Sequence, residues 1–459
     1  MSASLEKLLR DARIDLVLSR IEKDPAVINE VITHLDSEIR SIKFNAIHVL
    51  GELGQKSTSA LYKLVECLED SDWSICRETV RSLGKIGNLA EDANSKLAKL
   101  IENEEVTIRK EVALALGNIG HASDDVLSAL RTALKDQNEE VRTEAAIALG
   151  KMGSRAESAI PDLMRSIKDF SWAVRTASAK SLSNVGKEAR KSIPTLIETL
   201  KDKDWRVRYR VVNTLASIGE DSIPFLLKAL SSKNLIVRKG AVEALGEMKI
   251  SNPEIIENLM LMLRDPFEMI RSKAADALRS IGKPSIPALI EGFNFYQTKV
   301  VLKYGLPISN KKAQALIISA IGGIGEDAKD AIPFINENLN DKRLLIRIEA
   351  TRTLGKIGKN SENAITALIS ALNDSKHSVR REAALALGKI GSNASIATSA
   401  LTNVLNDKNP DVRWRASEAL GLIGVNTEEI ISCLDNLIHD KCDYVCESAI
   451  NAIDKLTVN

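Results

Sequence analysis

Between Ser192 and Gly219 the apolar side chains fall on two helical faces in succession. Ile193, Leu196, Ile197 and Leu200 keep the i, i+3, i+4, i+7 spacing of one face. Val207, Val211, Leu215 and Ile218 keep it for a second face, and polar Lys201 to Lys203 separate the two. The pattern predicts a pair of short helices. Asp204 stands where an N-cap would accept hydrogen bonds from the first turn of the second helix. Asn409-Pro410 and Asp265-Pro266 predict the same device, a cap followed by Pro at the first helical position. Gly219 and its equivalents are expected to end each pair with a left-handed turn.

This unit recurs along the chain. One register reads Lys43, Cys76, Arg109, Arg142, Arg175, Arg208, Arg238, Arg271, Gln314, Arg347, Arg380, Arg413 and Cys446. Successive members are 33 apart except at two places, where the steps are 30 and 43. A period of this length signals stacked helix pairs and not a single globular core. Pro161, Pro194, Pro224, Pro287 and Pro333 share a register early in the first helix, where a missing amide hydrogen is harmless. Ala113, Ala146, Ala179, Ala275 and Ala384 are small where second helices are expected to approach one another. The expected fold is all-α: an α-α superhelix, or α-solenoid, of about thirteen helix-pair repeats. Residues 1–24 read as capping helices, 25–290 as repeats 1–8, 291–325 as an atypical repeat, and 326–459 as repeats 10–13 with a C-terminal cap. Such an array offers extended surface, which favours binding over catalysis.

Composition narrows the partners. The 459 residues are 27% charged yet balance to a net charge of +1, so the surface as a whole is not built for nucleic acid or anionic lipid. No stretch reaches the roughly 18 apolar residues of a membrane span. Met1-Ser-Ala-Ser-Leu-Glu-Lys lacks the basic-then-apolar design of a signal peptide, and five cysteines form no disulfide framework. The expectation is a cytoplasmic protein.

The repeat resembles the HEAT superfamily, and within it the short HEAT-like repeats of the phycobilin (PBS) lyase type. The segments that carry the resemblance are A-I-P-x-L-I-x-x-L and D-x-x-x-x-V-R-x-x-A-x-x-A-L-G-x-I-G, seen clearly in Asp374 to Gly391. It implies a HEAT/armadillo-like solenoid whose second helices line the concave face. It also implies an Asp–Arg ladder between neighbouring repeats, with Asp136, Asp169, Asp202, Asp341, Asp374 and Asp407 pairing with the Arg register. Those arginines are then structural.

Departures from the repeat carry the candidate sites. The step of 43 adds ten residues within Glu291 to Asn310, where Phe293, Phe295, Tyr296 and Tyr304 make the most aromatic stretch of a chain with only 3% aromatics. Insertions of this kind often form a binding loop. The alternative is a local patch of core. Trp73, Trp172 and Trp205 share the start of the second helix, and Arg206, Tyr209 and Arg210 exceed what the repeat needs. Arg77, Arg81 and Lys85, then Lys110, Lys151, Lys180 and Lys239, are read as one basic column on the same helices. Together they describe either a basic, aromatic-edged groove or an ordinary solvated face partly neutralised by Glu78, Glu111 and Glu144.

Catalytic chemistry finds no footing. The five histidines His34, His48, His121, His377 and His439 precede no Glu, so the His-Glu pairs of deoxyhypusine hydroxylase, a HEAT-like di-iron enzyme, are missing. Cys433, His439, Cys442 and Cys446 match no familiar zinc spacing, and no phosphate-binding loop occurs. No metal, cofactor or catalytic residue is expected. The leading expectation is a scaffold or adaptor for protein partners, through an acidic or extended segment. The alternatives are a lyase-like or chaperone-like subunit for a tetrapyrrole or protein modification, and nucleic-acid binding through the basic column. A membrane partner is not expected.

Overall fold

Among the described residues thirteen helix pairs follow one another from Val27–Thr33/Arg40–Leu53 to Glu428–Leu437/Asp443–Thr457, preceded by Leu5–Arg10 and Ile14–Lys23. The computed structural model describes residues 4–298 and 310–457, without the side chains of 187, 295–298, 310 and 311. No strand occurs among the described residues. Contacts divide the chain into two units, 1–225 and 226–459.

The helices form where periodicity and capping place them. Asp204 accepts from the Arg206 amide and Asn409 from the Asp411 amide, each opening a second helix. The five prolines stand second in helices that begin at Ile160, Ile193, Ile223, Ile286 and Ile332. Asp265 departs from expectation. The helix after it starts at Glu268 with Phe267 as cap, and Asp265 accepts from the Phe267 amide one turn earlier. The glycine turns also differ. Gly219 has φ 79° and ψ −140°, a conformation nearly reserved for glycine but not the left-handed helical one. Gly120 and Gly424 do adopt the left-handed form.

Within each unit the second helices pack on one another in sequence, and the first helices lie against their own partners, as Ile160–Ser166 does on Trp172–Leu182. The closest crossing lies two residues beyond the alanines singled out above. Gly84 faces Ala115 and Gly117 faces Ala148 so tightly that a Cβ on either glycine would come within 2.9 and 2.8 Å of the opposing Cα. Where a hydroxyl replaces the Ala methyl it donates across the crossing: Ser82 to Ile47 O, Ser181 to Ala146 O, Thr214 to Ala179 O and Thr353 to Ile318 O. Backbone approach of this kind leaves the outer ridges of the second helices free to meet solvent.

The Asp–Arg ladder forms between adjoining repeats. Arg109, Arg142 and Arg175 grip Asp136, Asp169 and Asp202 with two-pronged bonds, and Arg347, Arg380 and Arg413 grip Asp374, Asp407 and Asp440 likewise. Arg238 holds Asp265, and Lys43 substitutes in reaching Asp70. Arg109, Arg142, Arg175 and Arg238 also donate to two carbonyls of their own interhelical turn, such as Asp136 O and Gln137 O for Arg142, whereas Arg347, Arg380 and Arg413 donate to one. Asp341 is the exception to the expected set. Gln314 stands where its Arg would be, and Asp341 is instead held by Arg343. Gln314 turns inward and donates to Phe293 O.

At the insertion, Phe293 is buried and packs edge-on against Phe334, with centroids 5.1 Å apart. Tyr304 and the side chains of Phe295 and Tyr296 lie outside the described residues.

Candidate functional site

The basic residues of the second helices occupy three registers, not one. Arg77 and Lys110 share the register of Thr143, Thr176 and Tyr209. Arg81 shares that of Ile147 and Lys180, and Lys85 that of Lys151 and Asn184. The distinction decides their electrostatics, because each register faces a different neighbour.

In repeats 2 and 3 three of these four cations are matched by carboxylates. Arg81 bonds Glu78 and, across the helix crossing, Glu111 at 2.6 Å. The Glu111 bond holds the Arg81 guanidinium above its ordinary pKa. Lys110 reaches Glu140 at 2.6 Å, and Lys85 reaches Glu52 at 2.5 Å. Glu78 is 1% exposed and also meets His48 Nδ1 at 2.7 Å. Arg77 lies over the Trp73 ring at 5.2 Å, and its Nε, like that of Arg210, is buried without a hydrogen-bond partner among the described residues. A surface so paired has little charge left to offer a ligand.

The pattern fails at repeats 5 and 6. One register of consecutive repeats reads Glu78, Glu111, Glu144, Ala177, Arg210. The carboxylate is lost at Ala177 and inverted at Arg210. There the helices Glu139–Met152 and Trp172–Leu182 leave a cleft of about 320 Å³, with Arg210 reaching in from Trp205–Ile218. Its lining includes Thr143, Ile147, Lys151, Trp172, Thr176, Lys180, Asn184 and Arg210, and no carboxylate. Lys151 donates to Asn118 Oδ1 at 2.8 Å. Lys180 is exposed and makes no ion pair among the described residues. Thr176 Oγ1 and Arg210 Nε are buried atoms without a hydrogen-bond partner among the described residues. Such orphaned atoms are uncommon in native proteins and mark places where a polar group from outside can bind. Glu144 follows Thr143 on the helix Glu139–Met152. Burial pushes its pKa up, against the pull of Lys110 and Lys151.

Aromatic side chains rim the cleft. Arg206 lies 3.5 Å over the Trp172 ring and is itself clamped by Asp204. The Arg206 bonds hold the Asp204 carboxyl down to about 2. Trp205 and Tyr209 sit one turn apart on the next helix, 66% and 61% exposed, and Phe170 in the preceding turn is 99% exposed. A cluster of large exposed rings beside unpaired cations is the composition of an interaction surface.

Of the residues singled out from sequence, Trp172, Lys180 and Arg210 meet at the cleft, Arg206 packs on Trp172, and Trp205 and Tyr209 are exposed on the helix that carries Arg210. Arg77, Arg81 and Lys110 lie in earlier repeats and are engaged by neighbours. Thr176, Asn184 and Phe170 were not singled out. The signal that pointed to them is the break in the Glu register at Ala177. No three His, Cys, Asp or Glu residues gather as a metal site among the described residues, and no described helix is long and apolar enough to cross a membrane.

Comparison with known proteins places this architecture. The family model for HEAT repeats matches residues 62–148, 94–183, 160–246, 223–294 and 300–388, and that for the PBS lyase HEAT-like repeat matches 379–407. The chain belongs to the HEAT-repeat family. No curated protein matches it. Among solved structures it is similar to the karyopherin Kap121p bound to the extreme C-terminus of the protein phosphatase Cdc14p, at 14% identity and a TM-score of 0.56, over 96% of this chain and 51% of that one. Kap121p bound to Pho4p aligns equally well, at 15% identity and 0.56, again over 96% and 51%. Importin beta aligns at 13% identity and 0.50, over 100% of this chain and 73% of that one. The chain therefore spans about half the length of Kap121p, and at these identities the likeness is one of fold.

Proposed function

We propose that this chain is a non-catalytic protein-binding scaffold, and that the second helices of repeats 4 to 6 receive an extended acidic segment of its partner. The observation that carries the reading is the cleft at Lys151, Lys180 and Arg210, cationic, free of lining carboxylates, and bordered by exposed Trp172, Trp205 and Tyr209. A partner carboxylate there would satisfy Arg210 Nε and neutralise charge that the repeat array leaves unmatched. The HEAT fold suits such a role, since Kap121p, a solenoid of similar fold, is bound in its structures to the extreme C-terminus of Cdc14p and to Pho4p. Nucleic acid fits less well, because Arg81, Lys85 and Lys110 are already paired and leave no continuous basic track.

Fluorescence anisotropy with a labelled Glu-rich peptide tests the reading, using a Lys-rich peptide and a single-stranded oligonucleotide as competitors. Wild type should bind the acidic peptide, and Lys180→Ala/Arg210→Ala should weaken it by about tenfold or more. Equal affinity in the variant, or tighter capture of the oligonucleotide with a steep loss between about 50 and 200 mM salt, overturns it.

A further inference from the structure

The cleft and the aromatic rim lie in adjacent repeats, and the spacing of those repeats sets a rule for what can occupy both. We infer that the site reads a two-part signal: an Asp or Glu, and a large apolar or aromatic residue about three positions away along an extended partner chain. This rests on the reading of the second-helix face as a protein-binding surface and adds the chemistry and register of the ligand.

Trp172 and Trp205 occupy the same register, one repeat apart, and so do Thr176 and Tyr209. Thr176 lines the cleft, so Tyr209 presents to the same surface one helix further on. Packed helices stand about 8–10 Å apart. An extended chain advances about 3.3 Å per residue. A peptide crossing the helices therefore covers one repeat in about three residues. A carboxylate seated in the cleft at Lys151 and Lys180, with Arg210 reaching in from the next helix, places the residue three along over that next helix, at Trp205 and Tyr209. Those two rings are one helical turn apart and both more than half exposed, which gives an apolar side chain two walls to pack between. The two side chains between the carboxylate and the apolar residue are left to solvent.

Charge selects the sign of the first residue. Three cations line the cleft with no carboxylate among its lining residues. A basic segment is repelled, which separates this surface from the acid-bearing registers of repeats 2 to 4. Trp172 is held in place from one side by Arg206, itself anchored by Asp204, so the wall of the cleft is formed before any ligand arrives. Preorganisation of this kind lowers the ordering cost of binding.

The test is a series of labelled Gly/Ser peptides carrying one Glu pair and one Phe, with their separation varied from adjacent to about six positions. Binding is read by anisotropy. The inference expects an optimum near three, with affinity about tenfold above the shortest and longest separations. Arg210→Glu should weaken every peptide of the series. Trp205→Ala/Tyr209→Ala should erase the optimum while leaving the weaker, spacing-independent binding of Phe-free peptide intact. Affinity that ignores spacing in wild type, but still falls with Arg210→Glu, overturns the two-part signal and leaves the acidic-segment reading standing. No binding by any acidic peptide, with Arg210→Glu folded and wild-type-like in thermal midpoint, overturns both.

Discussion

Replacing Arg142 by Ala should open the array locally, by an amount that follows from what the guanidinium touches. It makes four bonds: to both carboxylate oxygens of Asp169 at 2.8 and 2.9 Å, and to Asp136 O and Gln137 O at 2.8 and 3.0 Å. The two side chains are only 14% and 12% exposed. Removing one partner of a fully buried pair costs about 3–5 kcal/mol. Asp169 retains the Ser171 amide as a donor, and partial exposure lets water reach the stranded groups, so the expected cost is about 2–4 kcal/mol. Because a repeat array couples mainly nearest neighbours, the loss should concentrate in Glu139–Met152 and Trp172–Leu182. Native-state hydrogen exchange resolves this where a single melting curve does not. Amides of those helices should exchange about 30- to 1,000-fold faster, while helices several repeats away change little. Arg210→Ala is the control, since nothing among the described residues bonds its Nε, and it should alter stability by less than about 0.5 kcal/mol. If Arg142→Ala speeds exchange by no more than Arg210→Ala does, the division between ladder and ligand-facing arginines is wrong.

Three further outcomes are expected. Gly117→Ala drives a Cβ to within 2.8 Å of Ala148 Cα, and overpacking of that kind should cost about 1–3 kcal/mol in urea unfolding; an unchanged midpoint would show that the crossing can widen freely. Asn138 accepts from the Glu140 and Val141 amides, so Asn138→Ala should cost about 1 kcal/mol, read as faster exchange in the first turn of Glu139–Met152. Acid should unfold the chain through the ladder carboxylates. Burial pushes Asp136, Asp374 and Asp407 up, but their Arg partners and backbone amides outweigh it, and for Asp440 the Arg413 bond dominates outright, so all four titrate below the ordinary carboxylate range. A depressed folded pKa means stability fully present above about pH 4 and lost as pH falls through the folded values. Circular dichroism that stays flat to pH 2, or declines already near pH 6, contradicts that assignment.

Much of the fold was legible because its determinants are local or strictly periodic. The registers of Val207, Val211 and Leu215, the cap at Asp204 and the prolines at second positions need only a few neighbouring residues to specify them. The errors arose where a residue's role depends on a distant one. Asp265 looked like a cap because Pro266 follows it, yet Arg238, 27 residues earlier, takes it as a ladder partner. Asp341 looked like a ladder residue, but Gln314 offers it no guanidinium and Arg343 takes its place.

By itself, the sequence determined the helices, their pairing and their stacking, because a 33-residue period imposes one geometry on every unit. Tertiary structure alone decided which charges remain available. Arg81 and Arg210 look alike along the chain. Arg81 meets Glu111 on the next helix, whereas Arg210 faces a cleft from which the carboxylate register has dropped out at Ala177. Coulomb energy depends on separation in space, and stacking brings together groups about thirty positions apart, so the free cation is found only once the helices are packed.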